Sequence, residues 1–283
     1  MKLLYTVSHS MLLRDFLQLQ HISKKSLSAI KQNGALVVNG NPVTVRYELT
    51  PGDRVEVHLP EEMPSPSLTA SNGPLTILYE DQYLCIVSKP AGISTMPSQL
   101  HPHDSLLERV LYHFQQHEET GIPHIVTRLD RNTSGIVVFA KHQLIHHLMT
   151  DIITKTYICV LVGKIPLSGM IDYPIMRKRD SIIERQVSAD GKPALTSFVA
   201  LHREDDHSIA LVSLHTGRTH QIRVHFQAIG HPLVGDTLYG RDKRLPRQAL
   251  HAFQIKFIHP MTGVSITLQD SIAQDLRSII PML

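Results

Sequence analysis

Two apolar periods divide the chain. Near the start, "MLLRDFLQLQ" places Leu12, Leu13, Phe16, Leu17 and Leu19 at helical spacing, the mark of a helix with one face turned to a core. Ser23 then stands where a cap belongs, before "KKSLSAIKQNG", which closes at Gly34. Residues 11–33 therefore predict two short helices. Beyond them the period falls to two. "ALVVNGNPVTV" sets two β-branched runs about Asn39-Gly40, a pair that accepts positive φ and so predicts a hairpin turn. "PGDRVEVHL" supplies a further alternating strand. Residues 1–60 thus read as a compact ααβ module, small for independent stability. "PEEMPSPSLTASNGP" has no period and is rich in Pro and Ser, so residues 61–74 read as a linker.

From Leu75 onward strand-like runs dominate: "TILY", "YLCIVS", "GIVVFAK", "TYICVLV", "TSFVAL", "SIALVSL", "FQIKFI" and "VSITL". Helical patterns interrupt them at 105–117, where Ser105 and Glu108 have capping-box spacing, and again at 142–154 and 219–229. Many strands with few crossover helices predict, over residues 75–283, an α+β domain around a mixed, mostly antiparallel sheet.

Composition adds little beyond this. No apolar run among the 283 residues approaches the length of a membrane span. The start, "MKLLYTVSHSMLLRD", lacks a signal-peptide core and a small-residue cleavage site; the expected location is cytoplasmic, with no membrane partner. Cys85 and Cys159 each lie in an apolar run and read as buried packing residues, not as a disulfide framework. Charge is more informative. Residues 1–60 carry seven Lys/Arg against four Asp/Glu, and the remainder twenty-one of each. The whole formal excess lies on the N-terminal module, as expected of a surface that meets a polyanion.

Two clusters hold candidate chemistry. In "TRLDRNTSG", residues 127–135, Asn132 to Gly135 are turn residues, but a turn does not account for Arg128 and Asp130. Two apart on an extended segment, these share one side while Leu129 points to the core. A carboxylate beside a guanidinium stays ionised and can serve as base or nucleophile. In "HTGRTHQIRVHF", residues 215–226, Arg218, His220, Gln221 and Arg223 open a helix after a strand, a setting suited to phosphates or carboxylates. Walker, GxGxxG and GxSxG signatures are absent. His113 and His117, and His142 and His146, are four apart, but neither pair has the flanking Glu of HExxH, so no metal is expected.

"RLDRNTSGIVVFAK" resembles the signature of the RluA-type RNA pseudouridine synthases. "SKPAG" at 88–92, "KTYICVLVG" at 155–163, "DGKPALTSFVAL", "GRTHQIRVH", "GHPLVGDTLYG" and "ALHAFQIKFIHP" resemble the family's further motifs, in order. The likeness covers residues 75–268, and residues 1–60 resemble the S4 RNA-binding module. One position departs: Thr127 stands where the family usually has His. The resemblance implies the pseudouridine synthase fold and isomerisation of uridine to pseudouridine in RNA, without a cofactor. It implies Asp130 as the essential carboxylate, attacking C1′ or removing the 2′ proton, with Arg218 paired to it. Tyr157 would lie against the uracil and assist loss of the C5 proton. Arg128 would fill the gap left by the flipped nucleotide. Leu129 and Ile222 would form apolar walls, and Lys24, Lys25 and Lys31 would grip phosphates. Ribosomal RNA is favoured over transfer RNA because the S4-like appendage often accompanies ribosomal targets in the family. A monomer with no obligate protein partner is the default. The competing readings are a noncatalytic S4-type RNA-binding protein with an inactive synthase domain, and a metal-dependent hydrolase built on the histidines.

Overall fold

The structure, a computed structural model, describes residues 1–119 and 121–280. A small N-terminal β/α module holds β1 (Lys2–Thr6), β2 (Met11–Leu12), α1 (Leu13–Leu19), α2 (Lys24–Asn33), β3 (Ala35–Val38), β4 (Asn41–Pro42), β5 (Glu48–Leu49) and β6 (Arg54–His58). Both expected helices form. Ser23 caps α2, its hydroxyl accepting from Ser26 N at 3.1 Å. Asn39 and Gly40 take φ of 51° and 83°, which closes the β3–β4 hairpin as its sequence predicts. The module adds a strand that periodicity did not reveal. β1 pairs along its whole length with β6, in a four-stranded sheet ordered β1-β6-β3-β4. Five residues are too few for an alternation to stand out.

The remaining elements are β7 (Thr76–Glu80), β8 (Leu84–Lys89), α3 (Leu106–Gln116), β9 (His124–Ile125), β10 (Ser134–Ala140), α4 (Gln143–Met149), β11 (Thr154–Val162), β12 (Ser168–Asp172), β13 (Ile175–Arg177), β14 (Arg185–Val187), β15 (Leu195–Arg203), β16 (His207–Leu214), α5 (Gln221–Ala228), β17 (Leu250–Ile258), β18 (Ser265–Gln269) and α6 (Gln274–Arg277). The capping box of α3 is complete: Ser105 accepts from Glu108 N while the Glu108 carboxylate accepts from Ser105 N. α4 is shorter than its pattern suggested and ends at Met149; Asp151 turns the chain with φ of 62°, and β11 follows at once. No helix among the described residues is long and apolar enough to cross a membrane. Cys85 and Cys159 are buried free thiols.

The large sheet has ten strands, with the path β12-β15-β16-β11-β17-β10-β8-β7 and with β9 and β18 attached to β10 and β17. It is mixed and mostly antiparallel, as expected. Its single parallel contact joins two halves. Ser134 and Gly135 of β10 lie beside His251 and Ala252 of β17. Gly135 has φ of +112°, and a Cβ there would stand 2.3 Å from the Ala252 carbonyl oxygen, so only glycine permits this approach. Two core clusters flank the junction. One packs Tyr157, Phe198, Ile222, Phe226 and Leu250 beneath β11, β15 and β16. The other packs Val87, Val110, Phe114, Val137 and Phe139 between β8, β10 and α3. A third runs from the N-terminal module into β8, β10, α4 and β17 without a break.

His251 sits in the junction, 1% exposed, with Nδ1 2.9 Å from Ser134 Oγ. Burial, reinforced by the Arg247 charge, lowers its pKa from 6.5 to about 4. The folded protein therefore holds a neutral imidazole that the unfolded chain protonates first. Its contribution to stability is complete above pH 6.5 and is lost as pH falls toward 4. Urea unfolding at pH 7.5 and at pH 5 should show the native protein losing on the order of 2 kcal/mol more than His251→Gln. Equal losses in both proteins would show that His251 does not titrate in this way.

Candidate active site

The segment from Thr127 to Thr133 lies at the seam between the two half-sheets, and the four consecutive backbone carbonyls from Leu129 to Asn132 are all held. Thr127 is buried. Its hydroxyl accepts from Val138 N at 2.9 Å, tying the segment to β10. This is the position at which the chain departs from the usual His of the family it resembles; the Thr127 hydroxyl is bonded to the strand, and the residue lines the cleft without a titratable group. Thr95 donates to Leu129 O at 2.8 Å and accepts from Leu129 N at 3.2 Å. Lys89, fully buried, gives its three protons to the carbonyls of Pro90, Ile93 and Arg131 at 2.9, 2.9 and 3.0 Å. Arg247 donates to Asn132 O at 3.1 Å. Leu129 packs against both flanking clusters, as its alternation predicts, and wedges the segment into the seam. Arg128 is exposed, and the Asp130 side chain is 28% exposed.

Asp130 meets a guanidinium, but not the expected one. Arg223 Nη1 donates to Asp130 Oδ2 at 3.1 Å. Arg218 turns away and gives its Nε proton to Pro193 O at 2.9 Å. The reason is local. Arg218 belongs to the exposed turn before α5, whereas Arg223 lies inside the helix among six consecutive buried residues, Gln221 to Phe226. A buried arginine must find partners, and Arg223 has two. Its Nε and Nη2 donate to Asp236 Oδ2 and Oδ1 at 2.7 and 2.8 Å, and its guanidinium lies 5.0 Å from the centroid of the Tyr239 ring. His220, with φ of 59° at the start of α5, places Nε2 3.6 Å from Asp130 Oδ2 and Nδ1 2.8 Å from the Tyr239 hydroxyl. Burial lowers the His220 pKa, against the pull of Asp130, so the ring is neutral near pH 7.

These groups line an open cleft of about 700 Å³ that brings together Arg128, Leu129, Asp130, Tyr157, Arg218 and Ile222. Six of the expected residues therefore converge, and only the pairing of Arg218 with Asp130 fails. Among the described lining residues Asp130 is the one carboxylate, facing Arg128, Arg131, Lys155, Arg185, Arg218 and Arg223. Tyr157 projects from β11; its burial, and next the Asp130 charge, raise its pKa, so it meets the cleft as a neutral phenol. Lys24, Lys25 and Lys31 are exposed on α2 and are not part of the cleft wall.

The histidine pairs are otherwise engaged. His113 bonds to Glu80 at 2.9 Å, and His142 accepts from Leu144 N at 3.0 Å to cap α4. Among the described residues the group that could hold a metal is His202, Glu204 and His207, within 4.8 Å of one another. It lies at the β15–β16 turn, at the opposite end of β16 from cleft-lining Leu214. Sequence reasoning missed the parts played by Arg223, Asp236, Tyr239 and Thr95. Arg223 was visible in the arginine cluster, and its place in an unbroken buried helix was the signal that separates it from Arg218. Asp236 had no local signal, since its partner is thirteen residues away.

A family model described as RNA pseudouridylate synthase matches residues 83–228, from β8 to the end of α5. An uncharacterized RNA pseudouridine synthase of Bacillus subtilis, YjbO, is 42% identical over 267 residues, covering 92% of this chain and 94% of the relative. The ribosomal large subunit pseudouridine synthase D of Nitrosomonas europaea is 33% identical over 273 residues, covering 91% and 79%. Human RNA pseudouridylate synthase domain containing 1 shares the fold, with a TM-score of 0.55 and 24% identity over 78% of this chain and 96% of that one. The family match and the extent of these likenesses make the chain a member of the RluA-type RNA pseudouridine synthases, an enzyme that isomerises uridine in RNA.

Proposed function

We propose that this enzyme converts specific uridines of ribosomal RNA to pseudouridine, with Asp130 as the essential carboxylate acting on an extruded nucleotide. The observation that carries the reading is a single carboxylate, fixed through one oxygen, at the seam of a cleft whose other charged lining residues are cationic. Cations attract the RNA backbone, and the carboxylate alone can act on the sugar. The reaction exchanges one bond for another. N1–C1′ breaks, the uracil turns, C5 bonds to C1′, the C5 proton leaves and N1 gains one; no co-reactant is consumed.

Asp130 has two routes. It attacks C1′, or it removes the 2′ proton and passes through a glycal. Both place the carboxylate beside an electron-poor sugar carbon, as in the glycosidases. Arg223 keeps it ionised and aimed. Tyr157, a neutral phenol lining the cleft, lies against the uracil in this reading and assists loss of the C5 proton. Leu129 and Ile222 supply apolar walls for the base. Arg128, exposed beside Asp130, fills the space the nucleotide vacates, since chemistry on a stacked base requires its extrusion. Residues 1–60 form the RNA-gripping module, with Lys24, Lys25 and Lys31 on the solvent side of α2 contacting phosphates and residues 61–74 linking it to the synthase domain at 75–283. The ribosomal target is favoured by relatives named as ribosomal large subunit synthases and by the module itself. The enzyme acts as a cytoplasmic monomer.

Asp130→Asn should lower pseudouridine formation at least about a thousandfold while RNA affinity stays within about twofold, measured by single-turnover conversion and filter binding. Turnover near the native rate in that variant would remove Asp130 from the reaction. Replacing Lys24, Lys25 and Lys31 together by Gln should reduce the slope of log K against log salt by about 2, since each phosphate contact contributes roughly 0.7–0.9. An unchanged slope would take α2 out of the RNA interface. Substitution is preferable to deleting the module, because its core is continuous with that of the large sheet.

A further inference from the structure

Arg223 divides its guanidinium between two carboxylates, and the division is unequal. Asp236 takes Nε and Nη2, at 2.7 and 2.8 Å, in a fork that uses both of its oxygens. Asp130 takes Nη1 alone, through Oδ2. Among the described residues the only other cationic or imidazole group within 4 Å of Asp130 is His220, and it faces that same Oδ2, at 3.6 Å. Among the described residues no donor is seen on Oδ1, and Asp130 lines the cleft.

Asp236 is built to keep this arrangement. Its side chain is fully buried. Oδ1 accepts in addition from Leu238 N and Tyr239 N at 3.0 and 3.1 Å. The preceding Gly235 has φ of +72°, and a Cβ there would stand 2.1 Å from the Arg247 carbonyl oxygen, so the turn that presents Asp236 is pressed against the strand-leading segment behind the catalytic loop. Tyr239, from the same turn, covers one side of the guanidinium, and its hydroxyl accepts from Arg185 N at 2.8 Å and meets His220 Nδ1. A guanidinium offers a carboxylate a planar two-pronged grip. Left with Asp130 alone, Arg223 could take that grip and occupy both oxygens.

We infer that Asp236 is a positioning residue for the reaction: by holding two of the three guanidinium nitrogens, it restricts Arg223 to one hydrogen bond with Asp130 and keeps Oδ1 free to meet the ribose. This rests on the reading of Asp130 as the reacting carboxylate. The arrangement reconciles two opposed needs. Asp130 must remain ionised in a cleft, which calls for a cation, and it must keep a lone pair unengaged, which a bidentate cation would deny.

Two variants test it. Asp236→Asn keeps the shape and can still accept from Leu238 N and Tyr239 N, but removes the charge that anchors the fork. Asp236→Glu keeps the charge and displaces it by one methylene. In both, single-turnover conversion at saturating RNA should fall roughly 10- to 100-fold, while the RNA concentration for half-saturation stays within about twofold. A crystal structure of Asp236→Asn should show Arg223 reoriented, with both Asp130 oxygens in contact with its nitrogens. The inference is overturned if either variant that folds, judged by its thermal midpoint, converts RNA within about twofold of the native rate. It is overturned equally if the Asn variant keeps Arg223 on one oxygen of Asp130. Asp130→Asn, run alongside, separates the two readings. If it is inactive while the Asp236 variants are not, only this inference fails; if it is active, the assignment of the carboxylate fails first.

Discussion

A negative charge that is to react with a sugar carbon must be held without being consumed by what holds it. With Asp130 as the reacting group, as proposed, that constraint is met by one guanidinium shared between Asp130 and Asp236. The buried pair of Arg223 and Asp236 is costly to desolvate, but it is fully bonded, and the backbone amides of Leu238 and Tyr239 complete the carboxylate's shell. One half of the triad, Asp236, lies in the interior, and the other, Asp130, reaches the cleft. Removing the inner carboxylate would change the outer one without touching it.

The rest of the fold serves to bring the two ends of this triad together. Asp130 precedes β10, Arg223 lies in α5, and Asp236 lies in the turn that leads to β17. β10 and β17 meet only through the short parallel contact that Gly135 allows. Leu129 is wedged between the clusters on either side, while Lys89, Thr95 and Arg247 grip the carbonyls around it. Loop residues normally have freedom that a reacting group cannot tolerate. Here it is removed by three buried side chains from elsewhere in the chain, Lys89, Thr95 and Arg247.

Much of this was legible in the chain. The strand-like apolar runs from Leu75, the capping box at Ser105 and the Asn39-Gly40 turn are local patterns, and the elements they predict are present. Asp130 and the apolar orientation of Leu129 were readable from spacing two apart. The partner of Asp130 was not. Arg218 and Arg223 stand in one polar cluster, and only the burial of α5 on every side decides which of them turns inward. Asp236 and Gly235 act through contacts across the fold, for which a sequence carries no periodic signal. β1 escaped notice because its five residues, with Leu3, Leu4 and Tyr5 side by side, are too few to show a period.

The most direct measurement is the rate of pseudouridine formation in a single turnover at saturating RNA, compared between Arg223→Ala and Arg218→Ala. The account predicts a loss of at least about a thousandfold for Arg223→Ala and less than about tenfold for Arg218→Ala, since of the two only Arg223 touches Asp130, the carboxylate proposed to react. The reverse order would contradict the pairing on which the mechanism depends.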